Sequence, residues 1–199
     1  MPEKRTALIL VGGEAKRSGG KEKYFFNYKG RSFLSYLIEA LSPVTDEIII
    51  VARDHDQCSR FEEIPGIRTI TDRVRGIGPL GGILAGVEEA EGELLFITAC
   101  DMPCIRSDVV TYLFSVIEDH DAAVPCWNEE MFEPLHAVYR KTALKEYLTT
   151  HSSLSLRAMV RGIHTRYVQI DEIKSIDPNL ATFTNINDLA ELEAINGSK

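Results

Sequence analysis

The sequence predicts an α/β protein: an open, doubly wound, mostly parallel sheet in a three-layer αβα arrangement. Three observations predict it. The runs Thr6–Val11 (TALILV), Glu47–Ala52 (EIIIVA) and Glu93–Thr98 (ELLFIT) are short and almost continuously apolar, as strands buried on both faces of a parallel sheet must be. Segments with helical periodicity separate them, which gives right-handed βαβ units. A loop rich in glycine and cations follows the first run directly, at the strand end where open α/β sheets hold ligands.

After the first strand, Phe33, Leu34, Leu37, Ile38 and Leu41 share one helical face. Glu47–Ala52 is the second strand, and Ile67–Thr71 is a weaker third. Ile83, Leu84, Val87 and Ala90 mark a second helix, entered through Gly81 and Gly82. Glu93–Thr98 is the next strand, and Val109, Val110, Leu113, Phe114 and Ile117 make a third helical face, for which Ser107 is the expected cap. Asp121–Pro125 reads as a short strand. Past residue 126 the alternation loosens: Pro134–Arg140 and Thr165–Ile170 read as strands, Ala143–Thr150 and Leu154–Arg161 as helices. Leu189–Ile195 reads as a closing helix with Asn187 at its cap. With no repeat or linker, the chain reads as a single domain over 1–199, with a ligand-binding half over 1–105 and a second-substrate half over 106–199.

Composition narrows the function. At 199 residues, 44% hydrophobic and 26% charged, the chain has an ordinary globular make-up. A chain of this length buries roughly 70% of its unfolded surface and needs no crosslink. The apolar run near the start is too short for a signal-peptide core or a membrane span, so a cytoplasmic location is expected. Cys58, Cys100, Cys104 and Cys126 form no CxxC pair; reduced, mostly buried thiols are expected. A net charge of −8 argues against nucleic acid. Residues 1–31 nevertheless carry eight Lys/Arg against three Glu. A basic loop on an acidic body suits a small polyanion.

That loop is Gly12-Gly13-Glu14-Ala15-Lys16-Arg17-Ser18-Gly19-Gly20-Lys21-Glu22-Lys23. Glycines let backbone N–H groups approach phosphate oxygens, and cations offset the charge. It is neither GxGxxG, since Glu14 and Arg17 replace two glycines, nor a P-loop, since Ala15 and Glu22 stand at required positions. Beyond it, Asp101 in Cys100-Asp101-Met102-Pro103 lies just past a buried strand, a good place for a carboxylate that holds Mg²⁺. Asp72 opens the segment leading to Gly78-Pro79-Leu80-Gly81-Gly82.

Leu10-Val11-Gly12-Gly13-x-x-x-Arg17-x-Gly19-x-x-x-Lys23 resembles the LAGGxxxRxG…K signature of nucleotidyltransferases that activate molybdopterin and related small molecules. Within that superfamily, Ala15, Arg17, Gly19, Gly20 and Lys23 are most similar to the A-x-R-M-G-G-x-D-K form of the molybdenum cofactor guanylyltransferases. Val11, Ser18 and Glu22 depart mildly from it. The resemblance implies a Rossmann-like fold of the nucleotide-diphospho-sugar transferase type and GMP transfer from GTP to a molybdopterin phosphate, with Mg²⁺ as cofactor and pyrophosphate released. It implies nucleotide contacts at Leu10, Val11, Gly12, Gly13, Lys23, Asp72, Gly81 and Asp101, catalytic roles for Arg17, Lys23 and Asp101, and the metal on Asp101. Phe183-Thr184-Asn185-Ile186-Asn187-Asp188-Leu189 is similar to the family's NxNTPEDL ending without its Thr-Pro-Glu spacer, which offers Asn185 and Asn187 to the acceptor. Glu133–Tyr139 resembles its PLxAxY strand, where His136 reads as packed. Where the family often has an Asn at the end of the second strand, this chain has Val51. GTP and molybdopterin, or another phosphorylated small molecule, are the implied partners, with adaptor or molybdoenzyme-maturation proteins beside them and neither nucleic acid nor membrane. A cytidylyl- or uridylyltransferase and a non-catalytic nucleotide-binding module stay open as alternatives. A hydrolase lacks its Walker pattern.

Overall fold

The computed structural model describes residues 3–12, 26–61, 64–72 and 77–186. The strands β1 (Arg5–Leu10), β4 (Glu47–Ala52), β5 (Arg68–Thr71), β6 (Leu94–Ala99), β7 (Ala122–Asn128), β9 (His136–Arg140) and β10 (Thr165–Gln169) form the central sheet. Their spatial order is β10-β7-β9-β6-β1-β4-β5, with β8 (Met131–Phe132) paired to β7. β2 (Asn27–Tyr28) and β3 (Arg31–Ser32) make a separate hairpin. The sheet is parallel except where β9 runs against β6 and β7 and where β8 turns back on β7. From β1 the chain winds outward through β4 and β5, then returns to β6 on the other side of β1. The crevice at the switch in winding direction lies between β1 and β6.

The continuous apolar runs mean what they promised. Ala7, Leu8 and Ile9 are fully buried, and the residues alternate between two cores. One core, under α1 (Phe33–Leu41) and α4 (Ser107–Val116), takes Ala7 and Ile9; the other, under α3 (Pro79–Glu89) and α5 (Lys141–Thr150), takes Leu8. The expected face of α1 is buried at Phe33, Leu34, Leu37 and Leu41, and Ser32 caps it by accepting from the Ser35 amide at 3.2 Å. Each such side chain contributes roughly 1.5–3 kcal/mol by leaving water. Helix α3 lies unusually close to the sheet. A Cβ built on Gly86 would stand 2.5 Å from Leu8 Cδ1, so a side chain there would push the helix off β1.

Three details differ from the sequence-based expectation. Ser107 does not cap α4; the cap position is Arg106, and the Ser107 hydroxyl instead donates to the Ala40 carbonyl at 2.7 Å, tying α4 to α1. The expected short strand at Asp121 is the longer β7, running to Asn128 because β8 folds back to pair with its end. The apolar pattern also left unmarked the short helices α2 (His55–Cys58) and α7 (Ile170–Lys174), and α6, expected over Leu154–Arg161, runs over Leu156–Gly162. α6 begins where Ser155 accepts from the Ala158 amide at 3.3 Å, later than its apolar face suggested. The closing helix expected at 189–195 lies outside the described residues. None of the four cysteines is in a disulfide. Among the described residues no helix is long and apolar enough to cross a membrane.

The amino edge of the sheet is tied by one carboxylate. Glu47 accepts from the Thr6 hydroxyl at 2.7 Å, the Glu91 amide at 2.9 Å and Arg68 Nη1 at 2.5 Å, joining β1, β4, β5 and the turn after α3. Burial alone would push its pKa up, but these donors outweigh it and hold the carboxyl below the ordinary 4.5. A depressed carboxylate contributes stability that is present above the unfolded value and is lost as pH falls through the folded one. Glu47→Gln is therefore expected to cost roughly 1–2 kcal/mol at neutral pH and to flatten the loss of stability below about pH 4.5. Urea denaturation of both proteins from pH 7 to pH 3 measures it; an unchanged acid limb would mean that Glu47 does not carry this dependence.

Candidate active site

The parallel registers bring four strand ends level at the carboxyl edge. Leu10 pairs with Val51 on one side and Ala99 on the other, and Ala52 pairs with Thr71. Continued past the last paired residues, the same registers align Gly12, Arg53, Asp72 and Asp101. Hydrogen bonds extend the ladders toward this row: the Val11 amide donates to Val51 O at 3.0 Å, Asp72 to Ala52 O at 2.7 Å and Cys100 to Leu10 O at 3.2 Å. Gly12 packs closely on its neighbour, since a Cβ there would lie 3.4 Å from the Arg53 backbone nitrogen. Leu10 is partly buried, Val11 buried and Gly12 exposed. Asp72 and Asp101 are both partly buried, on opposite sides of β1.

The carboxyl side of the row is completed by a chain segment far away in sequence. A 3-10 turn at Ala181–Phe183 is followed by an extended stretch whose Ile186 amide donates to the Asp101 carbonyl at 3.0 Å. Ile186 is fully buried with Phe26 and Phe33 in a small cluster of its own. Asn185, exposed, is thereby brought next to the residue bonded to Asp101. The sequence-predicted Leu10, Val11, Gly12, Asp72, Asp101 and Asn185 thus converge on one edge.

Gly81 is placed differently. It is buried in the first turn of α3, and its amide donates to the Gly78 carbonyl at 3.2 Å. Gly82 faces the sheet, where a Cβ would lie 3.3 Å from Leu10 Cδ2. The close approach that this glycine pair permits is therefore, at Gly82, between helix and sheet. Gly13, Arg17, Lys23 and Asn187 lie outside the described residues.

The segment over Asp101 is pinned from below. The Thr182 amide donates to Asp177 Oδ2 at 2.8 Å, and Thr182 Oγ1 accepts from the Arg106 amide at 3.2 Å. Thr182 Oγ1 also lies 3.2 Å from His136 Nε2, and the imidazole tautomer decides which of the two donates. His136 is fully buried, edge-on against Phe96 and Phe183 at 5.3 and 4.9 Å between ring centroids. Burial pushes its pKa down to about 3. Packed between these rings and bonded to Thr182, the imidazole helps hold the segment.

Two residues here carried no sequence signal. Gln57, buried in α2, donates from Nε2 to Val11 O at 3.3 Å and accepts from the Arg53 amide at 2.7 Å, so its carboxamide sets the gap between β1 and β4 at the edge. Asp54 caps α2 by accepting from the Gln57 amide at 2.9 Å and pairs with Arg53 Nε at 2.9 Å. Arg53 thus brings a cation to the row at the strand where the expected Asn is absent.

Among the described residues no cluster of three or more His, Cys, Asp or Glu side chains could hold a metal by itself. A single partly buried carboxylate in the switch crevice still fits Mg²⁺, which is commonly held by one or two carboxylates and completed by substrate phosphates and water.

Comparison with known proteins agrees with this layout. The model of the MobA-like NTP transferase domain family matches residues 7–170. The "Probable molybdenum cofactor guanylyltransferase" of Methanosarcina mazei is 38% identical over 204 residues, covering 97% of this chain and 90% of that one. The molybdenum cofactor guanylyltransferase of Desulfosudis oleivorans is 34% identical over 192 residues, covering 94% and 92%. The crystal structure of molybdopterin-guanine dinucleotide biosynthesis protein A from Archaeoglobus fulgidus superposes with a TM-score of 0.80 at 24% identity, covering 96% of this chain and 97% of that one, which is a likeness of fold.

Proposed function

As a member of the MobA-like NTP transferase family this chain is a nucleotidyltransferase, and we propose that it transfers GMP from GTP to the phosphate of molybdopterin, releasing pyrophosphate. The observation that carries this reading is the level row Gly12, Arg53, Asp72 and Asp101 at the switch crevice. It supports one edge with a nucleotide side over β1, β4 and β5 and an acceptor side beyond Asp101. The names of relatives up to 38% identical, probable molybdenum cofactor guanylyltransferases, support guanylyl transfer to that cofactor. The nucleotide half is then residues 1–105 and the acceptor half 106–199, and a cytoplasmic location goes with this chemistry.

The acceptor phosphate is already an anion at neutral pH and needs no general base. One of its oxygens bonds to the α-phosphorus of GTP as the bond from that phosphorus to the β-bridging oxygen breaks, and the electron pair leaves with pyrophosphate. The obstacle is repulsion between two anions, so the protein acts by positioning and by fixed charge. Asp101 would hold Mg²⁺, which when bound neutralises α-phosphoryl charge. Arg17 and Lys23 take the charge on the transferring group and the departing pyrophosphate, and the backbone amides from Gly12 and Gly13 onward take the outer phosphates. Asp72, level with Gly12, accepts from the guanine N1–H and exocyclic amine, a pair of donors that adenine lacks. Asn185 and Asn187 bind the acceptor.

The reading is tested by thermal shift. GTP with Mg²⁺ is expected to stabilise the protein more than ATP, CTP or UTP does. At 100 times its dissociation constant it adds roughly 2.7 kcal/mol, or roughly 5–10 °C in a chain of this size. A larger shift with CTP or UTP would assign a different base to the same fold.

A further inference from the structure

We infer that Trp127 is the stacking wall for the flat heterocycle of the acceptor, with Glu133 as the acceptor of its ring N–H groups; this rests on the guanylyltransferase reading above. Among the described residues three large apolar side chains are exposed, Trp127, Met131 and Leu154, and Trp127, at 39%, is the aromatic one. Its position is set by topology. β7 runs against β9, as β6 does, so β6 and β7 are parallel and end on the same edge of the sheet. The end of β6 leads to Asp101 and the end of β7 carries Trp127, two strand positions away, or roughly 10 Å. This is the side away from β4 and β5, where the nucleotide is placed. In-line displacement puts the attacking phosphate opposite the leaving pyrophosphate, so the body of the acceptor extends from Asp101 toward β9 and β7.

The indole is held as a fixed plate. Its Nε1–H donates to Glu133 Oε1 at 2.8 Å, and its ring lies 5.7 Å from Phe183 at 62°. Phe183 rests in turn on the buried His136 and lies three residues before Ile186, which bonds to Asp101. Plate and carboxylate are therefore tied through one short segment, itself anchored by Thr182. A preset aromatic surface binds a planar ring with little ordering cost. Glu133 adds selectivity, because a second lone-pair-rich oxygen beside the plate suits a ring with adjacent N–H donors, which a pterin presents.

Trp127 is the single tryptophan of the 199 residues, so intrinsic fluorescence reports on this position. The probe is pterin-6-carboxylate, with N-acetyltryptophanamide as the control for absorbance and collisional quenching. Saturable quenching beyond the control is expected with the pterin and is not expected with GTP–Mg²⁺ alone. In guanylyl transfer to molybdopterin, Trp127→Ala is expected to raise the acceptor KM at least about tenfold, the scale of losing one ring-stacking partner, with the GTP KM within about twofold. Trp127→Phe restores most of the loss. An unchanged acceptor KM, a parallel rise in both KM values, or the absence of saturable pterin quenching in the wild-type protein overturns the assignment. Failure of the underlying function looks different: the wild-type protein then transfers no GMP to molybdopterin at all.

Discussion

Asp101→Asn is expected to lower turnover at least about a hundredfold, on the scale of removing one preorganised electrostatic element, while the melting temperature stays essentially unchanged. The substitution keeps the shape of the side chain and leaves the Asp101 carbonyl free to accept from Ile186 as before. What it removes is the anionic oxygen proposed to hold Mg²⁺. A titration of Mg²⁺ in the transfer assay separates lost metal from lost shape: the variant should require much more Mg²⁺ and regain little at saturation. Turnover within a fewfold of wild type would mean that Asp101 serves only the local turn.

The second large effect concerns the loop between Gly12 and Phe26. Arg17→Ala and Lys23→Ala are each expected to lower kcat/KM by about 10²-fold or more, on the order of 3 kcal/mol of transition-state stabilisation. Lys16→Ala and Lys21→Ala, at positions the family signature leaves open, should cost less than about tenfold and mostly through KM. The distinction is physical. A diffuse field treats four cations alike and fades as salt shortens the Debye length. Charge-assisted hydrogen bonds to a triphosphate in a site that excludes water resist that screening. Steady-state kinetics of the four variants at low and moderate salt decide between them; four similar losses that shrink together would leave only the diffuse field.

The legible parts of this molecule are those where one physical requirement dominates. A strand covered on both faces must be apolar throughout, so β1, β4 and β6 stand out in the sequence, and Asp101 is found by following one of them to its end. The helical faces of α1, α3 and α4 are legible for the same reason. The features that tie distant segments together were not. Gln57 bridges Val11 and Arg53 across 46 and 4 residues of sequence, and no local pattern distinguishes a glutamine that will do so. Ser107 stood where a cap was expected, yet its hydroxyl found a carbonyl on another helix. At Gly82 a helix lies on Leu10, a contact between distant segments that the glycine pair does not announce. Trp127 sits in a strand whose pattern says nothing about which ring will flank it.

The bond from Ile186 to Asp101 also joins two parts of the chain that lie far apart in sequence. Among the described residues the last strand of the central sheet ends at Gln169, and the 181–186 segment that borders Asp101 lies outside the ladders. Few of its bonds belong to the sheet ladders, so native-state hydrogen exchange is expected to open this segment at a lower free energy than the sheet. Its opening uncovers the Thr182–His136 bond and strips one side of the crevice while the row of strand ends stays intact. A protein caught in that partly open form would keep the proposed nucleotide side and lose the proposed acceptor side. In such a molecule the local opening free energy of one short segment, rather than global stability, limits how much of the population is competent to react.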